Sequence, residues 1–141
     1  MIRIVKPELN FKDVAGYIKK VIDSGLLTSG PKVKEFEDLV KSFVGTKYAI
    51  ATTSGTTALH ISLAALGIQP GDEVIVSDFT FPATANVVVH QGAKPVLVDI
   101  EPTTYNLDVT KIEKSITKRT KAIIPVHIFG CPANMTAIMK I

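Results

Sequence analysis

The chain has 141 residues, of which 46% are hydrophobic and 21% are charged, and its formal net charge is +3. A chain of this length can bury a substantial core, and its apolar composition suggests that part of its surface expects a partner. The lysines are scattered over several predicted helices and form no basic stripe. This distribution argues against nucleic acid as a partner and leaves a small anionic ligand compatible.

The cysteine and histidine content argues against two further classes of site. Cys131 is the only cysteine, and the three histidines show no metal-ligand spacing with it, so we expect neither an internal disulfide nor a metal site. A chain of this kind is typical of the reduced cytoplasm. No apolar run approaches the roughly 18 residues of a membrane span, and the amino terminus lacks a signal-peptide core, so we expect no membrane contact.

Two amphipathic helices are predicted before any strand. The first extends from Asn10, a residue type that caps helices, to Gly25. The second extends from Pro31, which suits the first helical position, to Gly45. The apolar residues of each helix follow helical spacing, which predicts one buried stripe along it.

Strands and helices alternate in the rest of the chain. The predicted strands are residues 48–52, 73–76, 96–98 and 122–126. The predicted helices follow Thr56, span residues 83–90, follow Asp108 and begin at Met135. The strands are continuous apolar runs, which indicates burial on both faces. The sequence therefore predicts an α/β fold in which a mainly parallel sheet is sandwiched by helices, in three αβα layers.

A turn of small residues leads from the first predicted strand into the next helix, and it consists of Ser54, Gly55, Thr56 and Thr57. A helix amino terminus presents unpaired backbone amides and the positive end of the helix dipole, so this turn can hold a phosphate. The same residue types also cap helices without binding anything, which is the alternative interpretation. Neither glycine-rich nucleotide motif occurs, which argues against ATP or a dinucleotide as the ligand.

In a parallel sheet, ligands bind beyond the carboxyl ends of the strands. Residues 54–57, 77–84 and 127–131 follow predicted strands, and we expect these three loops to share one pocket. The last helical pattern, residues 135–141, stops without a cap or a polar tail. We therefore expect a cut at this position and not a natural end of the protein.

Several strings in the sequence carry a resemblance to a known family. They are GPKV with EFE (residues 30–37), SGTTALH (54–60), PGDEVI (70–75), TFPATAN (80–86), GAKPV (92–96), YNLD (105–108) and TKAIIPVH (120–127), with Gly130 and Met135. Together they span nearly the whole chain. On these strings the sequence resembles the DegT/DnrJ/EryC1/StrS family.

The resemblance implies a fold, a cofactor and a reaction. The family has the aspartate-aminotransferase fold and uses pyridoxal 5'-phosphate. Most members move an amino group from glutamate or glutamine to a keto carbon of a nucleotide-linked sugar, in nucleotide-sugar and cell-envelope polysaccharide biosynthesis. The resemblance thus implies a nucleotide sugar and an amino-acid donor as partners, and a homodimer.

The resemblance also assigns cofactor contacts. Ser54, Gly55, Thr56 and Thr57 would cradle the cofactor phosphate, and Phe81 would stack on the pyridine ring. Both roles agree with the chemistry of these residues. An aromatic residue after a strand is also common in an ordinary core, which is the alternative for Phe81.

Three more polar residues lie in segments that the resemblance places near the active site. Thr28 and Ser29 would contact substrate, although ordinary loop polarity explains them equally well. His127 follows the last predicted strand, and we expect a buried, hydrogen-bonded histidine without a catalytic role.

No catalytic residue is assigned. The family's chemistry requires a lysine amine that bonds the cofactor and an acidic partner for its pyridine nitrogen, and neither is identified in this sequence. By the resemblance, residues 1–30 form an amino-terminal helix and active-site loop, and residues 31–141 form an incomplete cofactor-binding large domain. We expect no transaminase activity from these residues alone.

Two alternatives remain open at this point. A chain without the cofactor lysine can be a non-catalytic regulatory or ligand-binding domain. The family also has a dehydratase branch that produces deoxysugars, in which histidine replaces the lysine. An incomplete parallel sheet exposes apolar edges, so we also expect self-association.

Overall fold

Helix α1, Phe11–Ser24, is the first element in the computed structural model, which describes residues 8–141. The Asn10 side chain accepts a hydrogen bond from the Lys12 amide at 3.1 Å. Gly25 ends the helix in the left-handed conformation, which costs glycine little. The predicted first helix is therefore confirmed at both ends.

Helix α2, Pro31–Val44, begins at the predicted proline and ends at Gly45. The prediction of buried apolar stripes is wrong, because no residue of α1 or α2 is buried. The two helices belong to a compact unit that ends at Ala51, and a second unit spans Thr52–Ile141. The first unit has too few elements to enclose either stripe. The functional division predicted after residue 30 remains a prediction.

The second unit contains the strands and the remaining helices. Its elements are α3 (Gly55–Ala65), β1 (Glu73–Ser77), α4 (Ala83–His90), β2 (Lys94–Val98), α5 (Val109–Ser115), β3 (Thr120–Ile124), a short 3-10 helix (Ile128–Gly130) and α6 (Met135–Ile138). The predicted helices are confirmed within a few residues of their bounds.

The three strands form one parallel sheet in the order β2, β1, β3. In this register Ile75 lies between Val96 of β2 and Ile123 of β3. Consecutive side chains of β1 point to opposite faces of the sheet, and each face has its own core. Helices therefore cover both faces, which confirms the α/β sandwich.

On one face of the sheet, Val74 and Val76 pack in a cluster with residues of α3 and α4 and their flanking loops, namely Leu63, Ile68, Val87, Val88 and Ala93. On the other face, Ile75 packs in a cluster with residues around α5 and α6, namely Val98, Leu107, Ile112, Ala133 and Ile138. Among the strands within residues 8–141, β1 alone contributes fully buried residues to both clusters, while β3 packs partly buried residues against each of them.

The predicted strand at residues 48–52 is wrong. This segment forms no strand in the structure, and Tyr48 is 73% exposed. A single extended segment needs a neighbouring strand for its backbone hydrogen bonds, and no strand pairs with it within residues 8–141. The sheet described here accordingly has three strands where four were predicted.

Burial on both faces holds only for β1, whose five residues are all buried. The outer strands β2 and β3 are partly exposed, so the prediction is wrong for them. An outer strand has one neighbour, which also explains why β2 tolerates Pro95. Strand β3 ends before Pro125, because proline has no amide hydrogen for the ladder.

Two features are absent from residues 8–141. None of the helices there combines the length and the apolar character that crossing a membrane requires. No group of three metal-ligating side chains occurs within the same residues.

Candidate functional site

The cap residue Ser54 determines which backbone amides at the amino terminus of α3 are bonded. Ser54 is extended, and its Oγ accepts a hydrogen bond from the Thr57 amide at 3.1 Å. The next amide along the chain, that of Ala58, bonds to the Ser54 carbonyl at 3.0 Å. The amides of Gly55 and Thr56 have no acceptor within residues 8–141. These two donors, at the positive end of the helix dipole, are available to an anion.

The hydroxyl groups of the turn have different roles. The Thr57 hydroxyl lies 3.0 Å from Ser54 Oγ and 3.3 Å from Thr53 Oγ1, so these three side chains bond to one another. The Thr56 hydroxyl has no partner within the part of the chain described. Ser54 and Thr57 therefore shape the turn, and Gly55 and Thr56 present the free donors.

Neither the backbone conformation of Gly55 nor its contacts within residues 8–141 require a glycine. Its φ is not left-handed, and a Cβ built on it would meet no heavy atom within 4 Å. Neither conformational strain nor packing against the chain therefore demands a glycine at this position. A ligand that approaches the backbone closely supplies such a reason, because a Cβ would stand between the ligand and the free amides.

Gly55, Thr56 and Phe81 line one cavity of about 560 Å³. The other lining residues are Ala58, Leu59, Ser62, Ala83 and Thr84. The structure thus brings together three of the five residues to which the sequence assigned cofactor contacts. Ser54 and Thr57 lie in the same turn but do not line the cavity.

The Phe81 ring is held at the start of α4 by the loop that follows β1. The Ser77 hydroxyl donates to the Phe79 carbonyl at 3.2 Å and accepts from the Phe79 amide at 3.3 Å. The Thr84 amide donates to the Phe81 carbonyl at 3.0 Å, which begins α4. Phe81 is 76% exposed, so its ring is not part of either core. The alternative of an ordinary core aromatic is therefore wrong.

The sequence analysis did not single out Leu59 and Ser62, which also line the cavity. Both lie on the same face of α3 as Gly55, four and seven residues farther along the helix. Helical spacing from Gly55 was the signal that could have identified them.

The third loop does not join this cavity, so the prediction of one pocket shared by three loops is wrong. Phe129 instead contacts Phe79, with ring centroids 6.2 Å apart. His127 is exposed, and its Nδ1 accepts a hydrogen bond from the Ala133 amide at 2.9 Å. The predicted hydrogen-bonded histidine is found, but the prediction of its burial is wrong.

Thr28 and Ser29 belong to the first unit. There they line a hollow of about 100 Å³ in the loop between α1 and α2. Their assignment to substrate remains a prediction.

The cavity lining contains no ionisable side chain among the described residues. Away from it, hydrogen bonds from Thr103 and Thr104 lower the pKa of Glu101 to about 2. The Asp99 carboxylate beside Lys111 raises the pKa of that amine, with Asp108 adding to the effect. A raised pKa keeps the amine protonated and disfavours Lys111 as a nucleophile. Because its lining has no ionisable side chain among the described residues, the cavity is suited to an anion bound by backbone amides.

Residues 10–141 match the sequence profile of the DegT/DnrJ/EryC1/StrS aminotransferase family. A UDP-2-acetamido-2-deoxy-3-oxo-D-glucuronate aminotransferase from Pseudomonas aeruginosa is 52% identical over 88% of this chain and 34% of its own length. GDP-perosamine synthase from Caulobacter vibrioides is 45% identical over 99% of this chain and 38% of its own length.

Among solved structures, NtdA from Bacillus subtilis with bound cofactor PMP superimposes with a TM-score of 0.88. It is 43% identical over 92% of this chain and 30% of its own. The chain thus spans about a third of the length of the curated relatives it matches. Because the family profile covers nearly all of the sequence, the chain belongs to the DegT/DnrJ/EryC1/StrS aminotransferase family.

Proposed function

We propose that this chain supplies the phosphate-binding and ring-stacking part of a pyridoxal-phosphate-dependent sugar aminotransferase. The whole enzyme moves an amino group from glutamate or glutamine to a keto carbon of a nucleotide-linked sugar. One observation carries the proposal: the free amides of Gly55 and Thr56 and the exposed ring of Phe81 border the same cavity. Two relatives, one named as a UDP-sugar aminotransferase and one as GDP-perosamine synthase, favour transamination over the dehydratase and regulatory alternatives.

The residues of the cavity suit the chemistry of the cofactor, because they offer backbone donors for a phosphate and an aromatic ring for the pyridine. The Gly55 and Thr56 amides donate to the phosphate at the helix amino terminus, and Ser54 and Thr57 hold the turn in position. Phe81 covers one face of the pyridine ring. Bound pyridoxal phosphate supplies an electron sink for the carbon that carries the amino group. The lysine and the acidic partner of the ring belong, in this proposal, to the remainder of a full-length protein.

The proposal also covers the assembly, the location and the pathway of the enzyme. The enzyme functions as a homodimer, it resides in the cytoplasm, and its product enters cell-envelope polysaccharide. The exposed apolar side chains of α1 and α2, such as Phe11 and Phe43, support association with another protein surface. Light scattering of the purified full-length protein tests the dimer, and a monomer at high concentration contradicts it.

The phosphate contacts are tested by comparing pyridoxal phosphate with pyridoxal. We expect Thr56→Ala, which keeps the backbone amide and removes the unpartnered Thr56 hydroxyl as a further donor to the phosphate, to weaken binding of the phosphorylated ligand about tenfold, the effect of one hydrogen bond to a charged group. Binding of pyridoxal, which has no phosphate, is expected to stay the same. Thr53→Ala is the matched control, because it also removes a threonine hydroxyl from this turn, one that bonds to the Thr57 hydroxyl at 3.3 Å, and Thr53 does not line the cavity. Equal affinity of Thr56→Ala and the control for pyridoxal phosphate would contradict the proposal.

A further inference from the structure

Asn106 is a buried polar residue outside the cavity, and only 4% of it is exposed. Its Oδ1 accepts a hydrogen bond from the Ile128 amide at 3.1 Å. Its Nδ2 donates to the carbonyls of Cys131, at 3.1 Å, and Pro132, at 3.3 Å. One side chain thus bonds to the backbone on both sides of residues 129–130, within the loop that follows β3.

The loop held by Asn106 contains a strained residue. Phe129, between Ile128 and Cys131, is left-handed with φ 52° and ψ 23°. Non-glycine residues adopt this conformation only where the surrounding bonds impose it. The Asn106 bonds lie on both sides of Phe129, so they are suited to impose it.

Tyr105, the residue before Asn106, has the same kind of backbone strain. Its φ is 59°, and it and Phe129 are the two non-glycine residues with positive φ within residues 8–141. Both strained residues place their rings against Phe79, at centroid distances of 5.7 Å for Tyr105 and 6.2 Å for Phe129. Both residues with a left-handed backbone therefore contact Phe79, and we call this pair of ring contacts the clamp on Phe79.

Phe79 precedes Phe81 by two residues in the loop after β1. The Asp78 amide bonds to the Val98 carbonyl at 3.0 Å, which fixes the beginning of this loop. The Thr80 and Thr84 hydroxyls lie 3.0 Å apart and tie its end to α4. A clamp on the Phe79 ring therefore restrains the short segment that carries Phe81, which borders the cavity.

We propose that Asn106 is a positioning residue for Phe81, acting through Phe129 and Phe79. Asn106 touches neither the cavity nor its lining. It imposes the strained loop, the loop clamps Phe79, and Phe79 sets the direction of the Phe81 ring. The functional part of this inference rests on the proposed cofactor site, whereas the mechanical part does not.

The mechanical part is tested by amide hydrogen exchange in the full-length protein without cofactor. In Asn106→Ala we expect exchange at Ile128 and Cys131 to increase about tenfold or more, and exchange at Phe79 and Thr84 to increase as well. Exchange at Ala58, on α3, should not change. An increase confined to residues 127–133 would overturn the proposal.

Thr117→Ala is the matched control for general loss of stability. Thr117 donates to the buried Glu73 carboxylate at 2.6 Å, at the opposite end of the strands. We expect this variant to leave the exchange at Phe79 unchanged. The same increase at Phe79 in Thr117→Ala would show that Asn106 has only a structural role and would overturn the proposal.

The functional part is tested by the circular dichroism of bound pyridoxal phosphate, which reports how the ring is held. Asn106→Ala should reduce this signal and weaken binding about tenfold. Asn106→Asp is more informative, because an ionised carboxylate cannot donate to the Cys131 carbonyl and a protonated one can. Its signal should resemble that of Asn106→Ala at neutral pH and recover towards the wild-type signal as the pH is lowered. No difference between the two variants at any pH would overturn the proposal.

If Asn106→Ala does not fold, Phe129→Gly keeps the proposal testable. Glycine accepts the left-handed φ without strain and removes the ring, so the clamp is lost while the loop remains possible. We expect faster exchange at Phe79 and a reduced dichroism signal, and wild-type values for both would overturn the proposal. If the wild-type protein bound no pyridoxal phosphate, the proposed function would fail, while the exchange result would still decide the clamp.

Discussion

Glu73 and Arg119 are joined by one backbone hydrogen bond and by two hydrogen bonds between their side chains. The Glu73 amide donates to the Arg119 carbonyl at 2.8 Å, and Arg119 Nη2 lies 2.6 Å from Glu73 Oε1. The Thr117 hydroxyl donates to the other carboxylate oxygen at 2.6 Å. The carboxylate is buried at the start of β1, so this ion pair fixes β1 against β3 at the end opposite the cavity.

The first prediction concerns acid stability. The hydrogen bonds from Thr117 and Arg119 lower the pKa of Glu73 below its usual value of about 4.5. A lowered pKa in the folded state means that the stabilisation is fully present above about pH 4.5 and is lost as the pH falls through the folded-state value. We expect Arg119→Gln to raise the pKa of Glu73 and to move the acid unfolding midpoint to higher pH.

Lys121→Gln is the control for Arg119→Gln, because it removes the same charge from an exposed position. Circular dichroism during acid titration measures both midpoints. A shift of equal size in the two variants would mean that the effect comes from net charge and would contradict the role of the ion pair.

The second prediction concerns the central strand. Ile75 is fully buried between β2 and β3, and Leu97 on β2 is exposed. We expect Ile75→Ala to lower the free energy of unfolding by about 2–5 kcal/mol, since it removes buried methylenes and leaves a cavity. Leu97→Ala should change it by no more than about 0.5 kcal/mol. Urea unfolding measures both values. Similar losses in free energy would contradict the difference in burial between Ile75 and Leu97.

The third prediction separates helix capping from phosphate binding at Ser54. Aspartate caps a helix as well as serine does, so Ser54→Asp should preserve stability, whereas Ser54→Ala should lower it by about 1 kcal/mol. The added negative charge beside the free amides should nevertheless weaken pyridoxal phosphate binding about tenfold or more, because the ligand's phosphate is also negative.

Asn10→Asp is the control for Ser54→Asp, since it makes a comparable change at the cap of α1. Calorimetric titration of pyridoxal phosphate is expected to give the wild-type affinity for this variant. Unchanged affinity in Ser54→Asp itself would place the phosphate elsewhere.

The fourth prediction concerns the aromatic ring over the cavity. Because Phe81 is exposed, Phe81→Leu should leave the free energy of unfolding within about 0.5 kcal/mol of the wild-type value. Loss of stacking should weaken pyridoxal phosphate binding by about threefold to tenfold, the range for an aromatic contact, and Phe81→Tyr should retain the affinity. Affinity for the cofactor is the measurement, and equal values for the Leu and Tyr variants would contradict stacking.

The helix ends could be predicted from the sequence because their signals act within a few residues. Asn10, Gly25 and Pro31 stand where the structure begins and ends α1 and begins α2. Ser54 caps α3 as predicted. A capping bond joins neighbours in the chain, so no knowledge of distant residues was required.

The strands were less predictable because a strand is defined by its partner. Residues 48–52 and Glu73–Ser77 are similar apolar runs, yet only the second is a strand in the structure. Pairing with β2 and β3 makes the difference, and no local signal at residues 48–52 reports the absence of such neighbours. The overestimated burial of β2 and β3 has the same cause.

The candidate site, too, could be predicted only in part from the sequence. The turn at residues 54–57 and the ring of Phe81 were identified from sequence strings, but their common cavity exists only because α3 and the loop after β1 pack together. Asn106 could not be identified, since its hydrogen bonds reach residues 22 to 26 positions away. The string YNLD places it within the family resemblance, but nothing near it in the sequence indicates which residues its side chain bonds.

The sequence by itself determined the helices, the parallel α/β class and the family, because caps, apolar periods and motif strings are properties of short segments. Only the tertiary structure decided which apolar runs are strands, which of the predicted cofactor residues line one cavity, and which buried side chain holds the loop after β3. Those outcomes depend on contacts between residues far apart in the chain, and such contacts are formed only when the layers pack.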